Sequence, residues 1–131
     1  MKSVLFVCVE NSCRSQMAEA FARHLGAGVA LAQSAGSKPG AAVHPMAVEL
    51  MREKGIDLSG CRPKGLDAAA ARHWDFVITM GCGEACPFVP AAARRDWAIA
   101  DPKALSKEKF REVRDLIEKK VRDLIDEIRP S

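Results

Sequence analysis

Cys8, Arg14 and Ser15 stand at a spacing that can hold and attack a tetrahedral oxyanion. An apolar run ends at Cys8 and a helical pattern opens near Cys13, so the residues between them must turn tightly. In such a turn the backbone N–H groups of Val9, Glu10, Asn11, Ser12, Cys13, Arg14 and Ser15 can converge on one point, where the helix N-terminus adds a positive end. The Cys8 thiol lies at the base of that cradle, and the field that attracts an anion also favours thiolate. Arg14 can close the cradle with a planar fork that bonds two oxygens at once. Ser15 can donate its hydroxyl to the sulfur, and Asn11 tolerates a left-handed backbone. The competing reading is a plain strand-to-helix turn with an inert buried cysteine.

Two further thiols, Cys82 and Cys86, lie in a stretch rich in Gly and Pro. Their spacing is looser than that of a zinc knuckle, and no second Cys or His pair stands nearby. Thiol exchange, metal binding and plain packing are all open to them on spacing alone. Asp101-Pro102 is either a turn or a proton donor on a turn. Cys13 is expected to point into a helix–sheet contact, and Cys61 has no assigned role. His24, His44 and His73 sit near helix ends and read as structural or exposed.

The elements that would position these groups alternate. Residues 3–8 form a β-branched and aromatic run, expected as a buried strand. From Cys13, Met17, Phe21 and Leu25 recur at helical spacing up to Gly26. Residues 29–34 read as a second strand and 44–54 as a short helix with Pro45 in its first turn. A long loop over 55–66 precedes a weak Ala-rich helix at 66–72. Strands follow at 74–80 and 95–100, separated by a Gly-, Pro- and Ala-rich loop at 81–93. Residues 106–129 form the clearest helix, with Phe110, Val113, Ile117, Val121, Leu124 and Ile128 on one apolar stripe. Alternating strands and helices predict a three-layer α/β/α fold around a four-stranded parallel sheet, with residues 1–131 as a single domain.

Composition narrows the function classes. The chain has 131 residues, 48% hydrophobic, which suffices for one packed core. A net charge of +3 suits small anions and argues against a nucleic-acid surface. Charged residues make up 28%, so disorder is excluded, and no apolar run is long enough to cross a membrane. No secretory signal pattern is visible, and five cysteines is an odd number, so a reducing cytoplasm and functional thiols are expected.

Cys8-x5-Arg14-Ser15 after an N-terminal strand resembles the phosphate loop of the low-molecular-weight protein tyrosine phosphatases. The longer run Asn11-Ser12-Cys13-Arg14-Ser15-Gln16-Met17-Ala18-Glu19 is similar to the thioredoxin-coupled arsenate reductases that share that fold. The likeness extends through Ser34-Ala35-Gly36, His44-Pro45, Gly55-Ile56-Asp57, Thr79-Met80, Cys82, Cys86-Pro87 and Trp97 to Asp101-Pro102.

The resemblance implies Cys8 as nucleophile, Arg14 as oxyanion clamp and Asp101 as general acid. It further implies that Cys82 attacks a Cys8 thiol–arsenate adduct, and that Cys86 then takes over the oxidised pair as Cys82–Cys86, which thioredoxin or a similar dithiol reduces. Arsenate would be the substrate, phosphate or sulfate its mimics, with no cofactor and a monomeric chain in the cytoplasm.

The phosphatase branch places aromatic residues after its Asp-Pro. Here Lys103-Ala104 follow, and the chain has no Tyr, which suits a small inorganic anion. Two departures stand out. Glu10 replaces a common Gly and should point outward to solvent. Some relatives bind potassium through an Asn, a Glu, a Ser and an Asp; Asn11, Glu19 and Ser34 match, but Lys64 falls at the fourth position, so an ammonium paired with Glu19 is expected in place of a metal. The alternatives are a phosphatase using Cys8, Arg14 and Asp101, and a thiol-based oxyanion or metalloid sensor.

Overall fold

The computed structural model describes residues 1–70, 72–81 and 89–129. Cys82 and Cys86 lie outside the described residues. Four strands form one parallel sheet in the order β2-β1-β3-β4: β1 is Lys2–Cys8, β2 Ala30–Gly36, β3 Trp74–Thr79 and β4 Ala91–Asp96. The helices are α1 (Arg14–Leu25), α2 (Pro45–Arg52), the short α3 (Leu66–Ala70) and α4 (Lys107–Ile128).

β1 is apolar on both faces because both are covered. Val4, Phe6 and Cys8 face a core shared with Met17 and Phe21 of α1, Leu50 and Met51 of α2, and Phe110, Ile117 and Val121 of α4. Leu5 and Val7 face a smaller core with Leu66 and Ala69 of α3 and Trp74 and Val77 of β3. The strand's alternation thus divides its side chains between the outer layers of an α/β/α arrangement.

The helix ends follow from local chemistry. The Ser106 hydroxyl accepts from the Lys109 N–H at 3.3 Å, and His44 Nδ1 accepts from the Met46 N–H at 3.0 Å with Pro45 next to it. α1 stops at Gly26, where a β-carbon would stand 2.5 Å from Ile125 Cδ1.

The fourth strand is a correction. It runs Ala91–Asp96, not 95–100, and its first three residues fall in the stretch read as loop. β4 is an edge strand whose Ala and Arg side chains are largely exposed, so it lacks the apolar run of a buried strand. Trp97 and Ile99, which suggested a strand, are buried in the coil that follows. The Trp97 N–H donates to Thr79 O at 2.7 Å, carrying the chain over the end of β3 toward Asp101. Smaller shifts occur elsewhere: β2 reaches Gly36, two residues further than expected, and α2 ends at Arg52.

Candidate active site

The parallel register aligns the C-terminal ends of the strands, pairing Cys8 with Gly36 and Val7 with Thr79. The loop leaving β1 is held from outside. Its carbonyls are tied back by the segment after β2: Ser37 N–H donates to Cys8 O at 3.3 Å, Lys38 N–H to Val9 O at 2.8 Å, Gly40 N–H to Glu10 O at 2.9 Å and His44 N–H to Ser12 O at 2.9 Å. In a planar trans peptide the C=O and the next N–H point oppositely. Pinning these four carbonyls outward therefore turns the N–H groups of Val9, Glu10, Asn11 and Cys13 inward.

Asn11 shows this directly, since its N–H donates to Cys8 Sγ at 3.2 Å. Its φ of 52° is the left-handed value that the turn demands. Gly36 allows the close approach, because a β-carbon there would lie 2.5 Å from Val9 O. α1 then begins at Arg14, and the unpaired N–H groups of its first turn face the same space.

The orientation of the Asn11 amide beside the thiol is determined. The Lys64 N–H can only donate, at 2.8 Å to Asn11 Oδ1, so Asn11 Nδ2 faces Ser15 Oγ at 2.6 Å and donates to it. Ser15 Oγ also lies 2.8 Å from Cys8 Sγ, and its hydroxyl is the donor whenever Cys8 is a thiolate. Cys8 Sγ thus has two hydrogen-bond partners, the Asn11 N–H and Ser15 Oγ. Gln16 Nε2 donates to Asn11 Oδ1 and Arg62 O, each at 2.9 Å, fixing the amide from the far side.

Arg14 is 7% exposed. Its Nη1 donates to Met80 O and, at 2.8 Å, to Ile99 O, while Nη2 lies 3.8 Å from Asp101 Oδ2. Gly81, at φ +78°, leaves room beside that guanidinium. Asp101 is half-exposed, and its Oδ1 caps the turn Pro102–Ala104 by accepting from Lys103 N–H at 3.0 Å. Cys8, Val9, Glu10, Ser12, Cys13, Arg14 and Asp101 together line a cavity of about 220 Å³.

The structure places the two departures as follows. Glu10 turns away from the cradle but not into free solvent: its carboxylate takes Lys103 Nζ at 2.7 and 3.0 Å. That bond holds the Glu10 carboxyl below its usual range and raises the Lys103 ammonium. Lys64 Nζ lies 2.8 Å from Glu19 Oε1, which also accepts from Ser34 Oγ at 2.7 Å; Arg23 Nη2 stands 3.5 Å from Oε2.

Cys13 is buried against the core, and burial pushes its thiol up to about 12, so it stays neutral beside Cys8. Cys61 is half-buried, away from the cavity. Among the described residues no group of three His, Cys, Asp or Glu side chains could hold a metal ion.

The loop 8–15, Glu19, Ser34, Lys64 and Asp101 are therefore brought around one centre, while Cys82 and Cys86 fall outside the described residues. Sequence reasoning missed Gln16, Lys103 as the partner of Glu10, and the backing segment 36–44. The first had only its place in the run 11–19 as a signal; the last was visible as the turn cluster Gly36, Pro39 and Gly40.

Comparison with known proteins agrees with this geometry. Residues 3–131 match the family described as low molecular weight phosphotyrosine protein phosphatase. A glutaredoxin arsenate reductase of Synechocystis sp. is 44% identical over 98% of this chain and 99% of its own. A solved structure of an arsenate reductase in the phosphate-binding state superposes with a TM-score of 0.89 at 44% identity, covering 98% of this chain and 99% of that one. The thioredoxin-dependent arsenate reductase of Corynebacterium glutamicum gives 0.81 at 36% identity, over 98% of this chain and 62% of that one. With a full-length match and a thiol cradle of this form, the chain belongs to the low-molecular-weight phosphotyrosine protein phosphatase family, in company with its arsenate reductases.

Proposed function

We propose that the chain is an arsenate reductase in which Cys8 is the nucleophile. The observation that carries this reading is the Cys8 sulfur, which accepts from the Asn11 N–H and lies 2.8 Å from Ser15 Oγ at the floor of a small cavity edged by Arg14 and Asp101. Arsenate enters with its oxygens toward the loop N–H groups and Arg14. The Cys8 thiolate attacks arsenic, and one oxygen leaves as water after taking a proton from Asp101.

Reduction then needs two electrons. The Cys82 thiolate attacks the Cys8 sulfur, the S–As bonding pair passes to arsenic, and arsenite departs, leaving a Cys8–Cys82 disulfide. Cys86 attacks Cys82 and frees Cys8 as thiolate. An external dithiol protein reduces the resulting Cys82–Cys86 bond. Relatives named for glutaredoxin and for thioredoxin make either a suitable class of reductant. The chain acts as a monomer in the cytoplasm, where reduced thiols persist. No helix among the described residues is long and apolar enough to cross a membrane.

A second reading, hydrolysis of phosphomonoesters, needs only Cys8, Arg14 and Asp101, and the short distance between Arg14 and Asp101 favours it as a side activity.

The test is arsenite release with a thioredoxin or glutaredoxin system, beside p-nitrophenyl phosphate hydrolysis by the same sample. Cys86→Ser is expected to release about one arsenite per chain and stall as a Cys8–Cys82 disulfide, seen by non-reducing peptide mapping. Full reductase turnover by Cys82→Ser would return the phosphatase reading to first place.

A further inference from the structure

Lys103 links two residues that line the anion cavity. Its backbone N–H is bonded to Asp101 on one wall, and its ammonium is bonded to Glu10 on the other. Both of those residues line the cavity. The pair therefore joins the turn bearing the proton donor to the loop bearing the nucleophile, across 93 positions of chain.

The position of this strap determines what it obstructs. A group leaving from a Cys8-bound anion must depart on the side of Asp101, which protonates it. A free tetrahedral oxyanion has only an oxygen there, whereas an aryl phosphate brings its ring to the Asp101 side of the cavity, whose rim Lys103 ties to Glu10. We propose that the Glu10–Lys103 ion pair is a specificity device that admits free inorganic oxyanions and disfavours phosphate esters carrying an organic group. The inference rests on the reading of loop 8–15 as an oxyanion site.

Both side chains are about half-exposed, at 39% for Glu10 and 53% for Lys103. An exposed pair favours its closed form by a factor of up to about five, so the discrimination is of that size and no larger.

The probes are inorganic phosphate and phenylphosphonate, an aryl analogue with no hydrolysable ester. Each is titrated as a protector of Cys8 against iodoacetamide, with Cys8 followed by peptide mapping, and the ratio of half-protecting concentrations is the readout. Lys103→Met is expected to shift that ratio about fivefold toward the aryl anion. The reversed pair, Glu10→Lys with Lys103→Glu, is expected to restore the wild-type ratio.

A ratio unmoved by Lys103→Met, or a reversed pair behaving like the single variant, overturns the proposal. Failure of inorganic phosphate to protect Cys8 in the wild type would overturn the oxyanion-site reading and the proposal with it. Wild-type protection without arsenite release would overturn only the reductase reading.

Discussion

Gln16 makes the direction of the thiol network a property of side-chain chemistry. Buried at 1% exposure, it presents Nε2 to Asn11 Oδ1 and to Arg62 O, which can only accept. Asn11 is thereby held with its own N–H₂ toward Ser15, which keeps the Ser15 hydroxyl proton free to be donated to a Cys8 thiolate. Gln16→Leu keeps the volume and removes the donor, leaving the buried Asn11 Oδ1 underbonded and Arg62 O one donor short, a loss of order 1–2 kcal/mol. Alkylation of Cys8 by iodoacetamide at pH 7 should slow about tenfold, and kcat should fall by a similar factor with little change in KM. Equal rates in wild type and variant would show that Asn11 needs no such support. A Gln16→Glu variant, which offers no N–H donor, should behave like Gln16→Leu.

At the scale of elements, the site is held because α1, β2 and the segment before α3 meet at one buried carboxylate. Glu19 of α1 takes Ser34 of β2 and Lys64, while the Lys64 backbone N–H reaches Asn11. The Lys64 ammonium is itself the cation paired with Glu19. Wild-type thermal stability should therefore be the same in potassium and in sodium, and Lys64→Asp should raise the melting temperature in potassium only. A wild-type melting temperature that climbs with potassium alone would contradict this.

The main elements were legible for the same kind of reason: β1, α1 and α4 carry uninterrupted apolar patterns that burial requires. β4 was misplaced because an edge strand is held by backbone pairing and needs no such pattern, while the apolar Trp97 and Ile99 belong to a buried coil. The loop was readable from Cys8, Arg14 and Ser15. The ties from residues 37–44 were not, because backbone-to-backbone bonds leave no trace in residue type.

For the molecule as a whole, two groups with displaced titration set opposite limits of pH stability. Glu53, between Arg111 and Arg114 where α2 meets α4, has its carboxyl held down to about 2 from an ordinary 4.5. A depressed folded-state value contributes stability that is present above about pH 4.5 and is lost as pH falls toward 2. Cys13 is displaced upward, from 9 to about 12, so the unfolded chain loses its proton first and stability declines from about pH 9 toward 12. Melting curves should therefore show Glu53→Gln flattening the acid limb and Cys13→Ala the alkaline limb, each leaving the other intact. An acid limb equally steep in Glu53→Gln would assign that loss to other carboxylates.

The fastening of Arg14 has a different kind of consequence. Its guanidinium is secured to Met80 and Ile99, and neither anchor lies within residues 82–88. The guanidinium is thus tied to carbonyls that lie in sequence on either side of the stretch carrying Cys82 and Cys86, the thiols proposed above to supply the electrons. In terms of descent, local mutation of that stretch need not change either residue whose carbonyl holds Arg14. A hydrolase and a reductase built on this frame are then neighbours separated by one exchangeable cassette.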